Sequence, residues 1–156
     1  MLFPATVAGL PRQFIQTDAP FPRGAKAQYL DTDKSRKTLT FFLTADVIII
    51  PRDAVPVEKW LESGAQTLKQ TRANFQMEEN PTFPILNSRK SKPQLATFSF
   101  DREGWNDRMC VKNLLFSRGS HVNHFQFGCT AAHQKKWNTS INNFLAEFLK
   151  QIPDEP

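Results

Sequence analysis

The stretch from Asp107 to Gln151 constrains the fold most, because two strand-like segments joined by a tight turn lead directly into one long amphipathic helix. We interpret Gly119 and Ser120 as the two central residues of the turn. Glycine suits the first of these positions, because a type II′ turn requires a positive φ there. The sequence therefore predicts a β-hairpin that is followed at once by a helix.

The predicted hairpin has one face that is more apolar than the other. The second face is mixed, since it carries Val111 and Leu115 together with Asn113, His124 and Gln126. This contrast is typical of a strand pair with one well-buried side. The pairs that share the apolar face are Leu114 with Phe125, Phe116 with Asn123, Lys112 with Phe127 and Cys110 with Cys129.

The predicted helix carries one continuous apolar stripe. Thr130 is predicted to be its N-cap, because a threonine oxygen accepts hydrogen bonds from the first helical N–H groups, and Pro153 is predicted to end it. A stripe of this kind needs an apolar surface beneath it, so we expect the helix to lie over the sheet. The stripe consists of Trp137, Ile141, Phe144, Leu145, Phe148, Leu149 and Ile152.

The N-terminal part of the chain predicts further strands and a first helix. Asp46 interrupts an apolar strand pattern and predicts a bulge or a strand end. From Pro56 the apolar period changes to that of a helix, which is predicted to end near Asn74 and to include Phe75 in its apolar stripe. A loop is predicted from Gln76 to Pro84. The other predicted strands are 13–16, 25–30, 38–43 with 47–50, and 97–100.

The predicted element order is βββαβββα, within a single domain that spans residues 1–156. Short turns join consecutive strands, which implies antiparallel pairing. The sequence therefore predicts an α+β protein, in which an antiparallel β-meander carries two long amphipathic helices.

The charge of the chain is moderate and scattered. Twenty Lys and Arg residues against 15 Asp and Glu residues give a net charge of +5, which favours anionic partners only weakly. The densest basic runs, 34–37 and 89–92, are short and are predicted to lie in turns. Nucleic-acid binders usually concentrate more charge on one element, so weak nucleic-acid binding is kept as an alternative. No apolar run reaches the roughly 18 residues that a transmembrane helix needs.

The order of elements resembles that of a known group of families. The pattern opens with Phe3-Pro4 and with Gly-Leu-Pro-Arg at 9–12, and it ends with the helix over 137–152. It is similar to the α/β/α sandwich of PsbP, the DcrB lipoproteins and the Mog-type Ran-binding proteins. The resemblance implies a non-enzymatic binding or assembly factor. It also implies a periplasmic location in the bacterial envelope if an export signal precedes Met1, and otherwise a cytoplasmic location is expected.

The sequence contains no Gly-rich phosphate loop, nucleophile elbow, Cys-x-x-Cys or His-Glu-x-x-His spacing, which are the motifs of common catalytic sites. His121 and His124 fall on opposite faces of one strand, so they do not readily share a metal ion. Solvent-facing or capping roles are predicted for the histidines. Neither a cofactor nor a metal site is predicted.

A charged turn before the hairpin supplies the candidate binding residues. Carboxylates that lie close together raise one another's pKa, so Asp101, Glu103 and Asp107 are the residues that a small metal-dependent enzyme would use. The interleaved arginines favour local salt bridges instead. Trp105 is either tucked beneath the sheet edge or presented to a partner. The candidates are Trp105, Asp101, Glu103, Asp107, Arg102 and Arg108.

Cys110 and Cys129 face each other in the predicted register, at a separation that a disulfide allows. In an oxidising compartment the pair would close a loop of about twenty residues. Chain-entropy arguments predict that such a bond stabilises the fold by roughly 3 kcal/mol. In the cytoplasm the pair would remain two buried thiols. Both readings stay open.

The function predicted from these observations is a non-catalytic binding or assembly module. Its partner is predicted to be another protein or a small ligand. The alternatives are the metal-dependent enzyme at the charged turn and the weak nucleic-acid binder.

Overall fold

The computed structural model describes six ranges of the chain, residues 3–30, 43–54, 56–78, 93–104, 108–130 and 134–151. The strands are β1 (Thr6–Val7), β2 (Leu10–Thr17), β3 (Ala25–Leu30), β4 (Thr44–Pro51), β5 (Ala73–Met77), β6 (Gln94–Asp101), β7 (Arg108–Arg118) and β8 (His121–Thr130). The helices are α1 (Val57–Thr71) and α2 (Gln134–Gln151).

The eight described strands form one antiparallel sheet in the order β1-β2-β3-β4-β8-β7-β6-β5. Two meanders, one from β1 to β4 and one from β5 to β8, therefore meet at the central pair of β4 and β8. The sheet confirms the predicted α+β class with antiparallel strands.

Helix α1 carries the chain from the centre of the sheet to its far edge. Four antiparallel steps separate β4 from β5 in the strand order, so these two strands run parallel to each other. A helix of 15 residues is about 22 Å long at 1.5 Å per residue. Four strand spacings amount to about 19 Å. The helix is therefore long enough for this crossover.

The described element order is ββββαββββα, with one strand more in each half than predicted. The missed strands are β1, of 2 residues, and β5, of 5 residues. β1 is too short for a period of two to show in the sequence. β5 does alternate apolar and polar residues from Ala73 to Met77, but Phe75 also fits the helical spacing that follows Leu68 and was therefore predicted to belong to the helix.

The prediction that α1 ends near Asn74 was wrong, because the helix ends at Thr71 and Phe75 lies in β5. The predicted loop from Gln76 likewise begins too early, since Met77 pairs with Phe98 of β6.

Asp46 lies inside β4, opposite Gln28 of β3 and Gln126 of β8, and not at a bulge or a strand end as predicted. Gln28 Nε2 donates a hydrogen bond to Asp46 Oδ1 at 2.9 Å, and Lys26 Nζ lies 3.5 Å from Asp46 Oδ2. The neighbouring strand thus satisfies the carboxylate, and the pairing of β4 continues through it.

The predicted hairpin register is confirmed. Leu114 pairs with Phe125 and Cys110 pairs with Cys129, and Gly119 has a φ of 56°. A positive φ at this position suits glycine, which has no Cβ to clash with the backbone.

The predicted N-cap of α2 was wrong. Thr130 is the last residue of β8 and pairs with Met109, and α2 begins at Gln134. Strand pairing extends to Thr130, which stands four positions before the first helical residue, whereas an N-cap directly precedes the helix. The predicted stop at Pro153 lies outside the described residues.

The larger core lies between α2 and one face of the sheet. Phe144 is fully buried, and its ring meets those of Tyr29 and Phe127 edge to face, with centroids 5.2 and 5.6 Å away. Tyr29 Oη donates a hydrogen bond to the carbonyl oxygen of Pro4 at 2.9 Å, so the buried hydroxyl is satisfied. The helix contributes Trp137, Ile141, Phe144, Leu145 and Phe148 to this core.

The smaller core lies between α1 and the opposite face of the sheet. Ile48 and Ile50 belong to it, while Val47 and Ile49 belong to the core under α2, because neighbouring strand residues point to opposite faces. Trp60 of α1 packs against the smaller core. Both faces of the hairpin are therefore covered, whereas the sequence predicted one well-buried side.

We expect Phe144→Ala to lower the free energy of unfolding by about 3 to 5 kcal/mol, because it removes a fully buried ring from a close-packed aromatic cluster. Urea unfolding followed by circular dichroism measures the change. Lys135→Ala on the exposed side of α2 is the control and should have little effect. A loss below roughly 1 kcal/mol for the Phe144 variant would contradict the described packing of α2.

Candidate functional site

Asp101 and Arg108 form an ion pair at the end of the β6–β7 ladder, with Arg108 Nη1 at 2.7 Å from Asp101 Oδ1. Arg108 Nη2 also donates hydrogen bonds to the carbonyl oxygen of Asn74 at 2.7 Å and to Ser99 Oγ at 3.2 Å. The Asn74 side-chain amide donates to the other carboxylate oxygen of Asp101. These contacts tie the start of β5 to β6 and β7.

The other residues of the charged turn do not gather into a described site. Arg102 Nη1 lies 3.9 Å from the sulfur of Met109, and Glu103 is exposed. Trp105 and Asp107 lie outside the described residues. Within the described ranges, no group of three or more His, Cys, Asp or Glu side chains is arranged to hold a metal ion. The metal-dependent alternative needs Asp107 and therefore stays a prediction.

Cys110 and Cys129 are free, buried thiols on the α2 face of the sheet. A hydrogen bond between the two thiols lowers the pKa of Cys110 and, together with burial, raises the pKa of Cys129. Lys112, two residues along β7 on the same face, also lowers the pKa of Cys110 through its positive charge. The Lys112 ammonium donates a hydrogen bond to Asn138 of α2. The disulfide that an oxidising compartment would close stays a prediction.

An open cavity lies between α1 and the β5–β6 edge of the sheet, and we call it the outer cavity. Its volume is about 790 Å³, within the range of roughly 300–1,000 Å³ that is typical of small-molecule sites. Phe98 and Phe75 line it with ring centroids 5.6 Å apart. Its other apolar lining residues include Leu61, Ala65, Met77 and Ala96.

A second cavity of about 390 Å³, which we call the inner cavity, adjoins the first and shares Leu61 and Phe98 with it. A chain of three polar side chains lies along its wall. Trp60 Nε1 donates a hydrogen bond to His124 Nδ1 at 3.0 Å, and His124 Nε2 lies 2.9 Å from Asn113 Oδ1. Because Nδ1 accepts a hydrogen bond, Nε2 carries the proton of the neutral ring and donates a hydrogen bond to Asn113 Oδ1.

The surroundings of His124 hold it in the neutral form. Burial and, to a smaller extent, the positive charge of Lys26 lower the pKa of His124 from 6.5 to about 4. A proton on Nδ1 would also face the N–H group of Trp60, so protonation would break that hydrogen bond. At neutral pH both ring nitrogens of His124 are therefore hydrogen-bonded, one to Trp60 and one to Asn113.

Sequence reasoning missed the two cavities and the polar chain beside them. His124 was predicted to be solvent-facing or capping, which was wrong, since it is 5% exposed under α1. The signal was present in the mixed face of the hairpin, where Asn113, His124 and Gln126 alternate with apolar residues. Such polar residues need partners when a helix covers them, and Trp60 supplies one of them.

Comparisons with protein-family models, with curated proteins and with solved structures gave no match for this chain. Among the described helices, none combines the length and the apolar character that a membrane crossing requires. The two basic runs of the nucleic-acid alternative lie outside the described residues, so that alternative also stays a prediction.

We expect His124 to make the fold less stable as the pH falls. Above pH 6.5 the ring is neutral in both the folded and the unfolded chain, whereas between pH 6.5 and about 4 only the unfolded chain gains a proton. Linkage then predicts that titration of His124 lowers the free energy of unfolding by about 2 kcal/mol between pH 7 and pH 5.

Urea unfolding of the wild type and of His124→Gln at both pH values isolates this contribution. Glutamine does not titrate, so the difference between the two pH dependences belongs to His124. Parallel pH dependences in the two proteins would contradict the depressed pKa.

Proposed function

We propose that this protein is a non-catalytic binding module and that the outer cavity holds a small, mainly apolar ligand. The observation that carries the proposal is the open space of about 790 Å³ between α1 and the sheet edge. An open space of this size beside apolar side chains is typical of small-molecule sites.

The walls of the outer cavity favour an apolar ligand. Phe98, which is 3% exposed, and the half-buried Phe75 contact each other as tilted rings in the cavity wall, which gives an aromatic and apolar surface. Met77 is 61% exposed, and its flexible thioether adapts to ligands of different shapes. Glu62 and Lys69 also line the cavity and supply opposite charges that would orient a polar end of the ligand.

The chemistry of the inner cavity favours binding over acid–base catalysis. Both ring nitrogens of His124 are engaged, one by Trp60 and one by Asn113. A general base needs a pKa near the working pH, whereas the pKa of His124 is about 4. The imidazole therefore acts as a support for α1.

The resemblance to PsbP, the DcrB lipoproteins and the Mog-type proteins supports the same proposal. We infer an α/β/α arrangement of this type from α1 and α2, which pack against opposite faces of the antiparallel sheet. Those families consist mostly of non-enzymatic binding or assembly factors, and a fold alone does not determine function. The cavity is therefore the stronger support.

We expect the wild-type protein to bind 1-anilinonaphthalene-8-sulfonate saturably, as an apolar probe with an anionic end. Ala65→Phe places a ring in the outer cavity and should weaken this binding by about tenfold or more, or about 1.4 kcal/mol. Fluorescence titration of the probe gives both affinities.

Gln70→Phe adds the same ring at an exposed position of the same helix and should leave the affinity unchanged. Thermal melts of both variants show that the fold is retained. Equal affinities of the two variants, or no saturable binding to the wild type, would count against a ligand site in the outer cavity.

A further inference from the structure

The two cysteines lie beside a third cavity on the face of the sheet that α2 covers. This cavity has a volume of about 340 Å³ and is lined by Gln76, Glu78, Thr97, Ser99, Arg108 and Cys110, among others. Most of these side chains are polar, unlike those of the outer cavity. We call it the thiol cavity.

Cys110 and Cys129 differ in their access to the thiol cavity. Cys110 is 2% exposed and belongs to the lining, while Cys129 is 0% exposed and lies directly opposite in the neighbouring strand. A molecule in the cavity therefore reaches Cys110 first. Cys129 faces Cys110 and is not among the residues that line the cavity.

We propose that Cys110 and Cys129 form a redox-active dithiol, in which Cys110 attacks a small peptide disulfide of the glutathione type and Cys129 resolves the product. The pairing across β7 and β8 supplies the geometry, since Cα atoms of directly opposed antiparallel residues are about 4.5 to 5.5 Å apart and disulfides accept about 4.4 to 6.8 Å. The polar thiol cavity supplies space for one half of such a disulfide.

The reaction is a balanced thiol–disulfide exchange. The Cys110 thiolate attacks one sulfur of the small disulfide, whose S–S bond breaks and releases one thiolate that takes a proton from water. Cys129 then loses its proton to water and attacks the Cys110 sulfur, which releases the second small thiol. The two protein thiols are oxidised by two electrons, and the small disulfide is reduced to two thiols.

The electrostatics assign the same roles to the two sulfurs. The thiolate is the reactive form of cysteine, and the hydrogen bond from the Cys129 thiol lowers the pKa of Cys110. The charge of Lys112 lowers the pKa of both thiols and does not distinguish them. The same hydrogen bond holds the proton on Cys129, whose pKa is raised. Cys129 loses this proton only when Cys110 has been converted to the mixed disulfide.

The test exposes the folded, full-length protein to oxidised glutathione and follows the products by intact mass spectrometry and by thiol titration after acid quenching. The wild type should lose both thiols and retain no glutathione. Cys129→Ser should retain one glutathione on Cys110, because the resolving thiol is missing. Cys110→Ser should gain glutathione at least about tenfold more slowly, because Cys129 does not face the cavity.

The alanine variants at both positions provide a second pair, because a buried serine hydroxyl can weaken the fold by itself. Thermal melts confirm that each protein is folded at the temperature of the reaction. Equal labelling rates of the two single-cysteine proteins would overturn the assigned roles, since exchange through the unfolded chain does not distinguish the cysteines. A wild type that keeps both thiols, or that retains glutathione, would overturn the dithiol itself.

Discussion

The pairing of β4 with β8 at the centre of the sheet is the contact on which the rest of the structure depends. The ladder runs without interruption from Thr44 opposite Gly128 to Pro51 opposite His121. A Cβ at Gly128 would stand 2.7 Å from Thr44 Oγ1, so a larger residue at position 128 would require the Thr44 side chain to move. Two strands at the centre of a sheet expose apolar side chains on both faces. Each face therefore needs a helix, and the chain supplies one after each meander.

The two helices cover their faces of the sheet with different kinds of contact. Under α2 the space is filled by aromatic rings, with Phe148 edge to face on Phe125 at a centroid distance of 5.2 Å. Under α1 the contact is partly polar, because Trp60 bonds His124 and stacks edge to face with Phe21 at 5.6 Å. Farther along α1, no described atom outside the local helix backbone would lie within 4 Å of a Cβ at Gly64. One face is therefore closed, and the other leaves the space that we interpret as a ligand site.

A buried lysine and two thiols lie on the face of the sheet that α2 covers. Lys112 is 7% exposed, and its ammonium donates a hydrogen bond to Asn138 of α2, which offsets part of the cost of burying the charge. Cys110 and Cys129 lie next to it along the same strand pair. The charge of Lys112 lowers the pKa of both thiols and so favours the thiolate of either one. The two sulfurs differ through the hydrogen bond between them and through the cavity beside Cys110.

The sequence by itself determined the features that depend on neighbours along the chain. The hairpin register followed from a glycine at position 119 and from the alternation of side chains, and the apolar stripe of α2 followed from its period, because both are local rules. Tertiary structure decided the rest. Thr71 ends α1 before Phe75 because β5 pairs with β6, and Asp46 stays inside β4 because β3 supplies partners for its carboxylate. Sequence patterns record which face of an element is apolar, but not which distant element covers that face. The burial of His124 and the cavities under α1 depend on that contact between distant parts of the chain, and only the folded structure contains it.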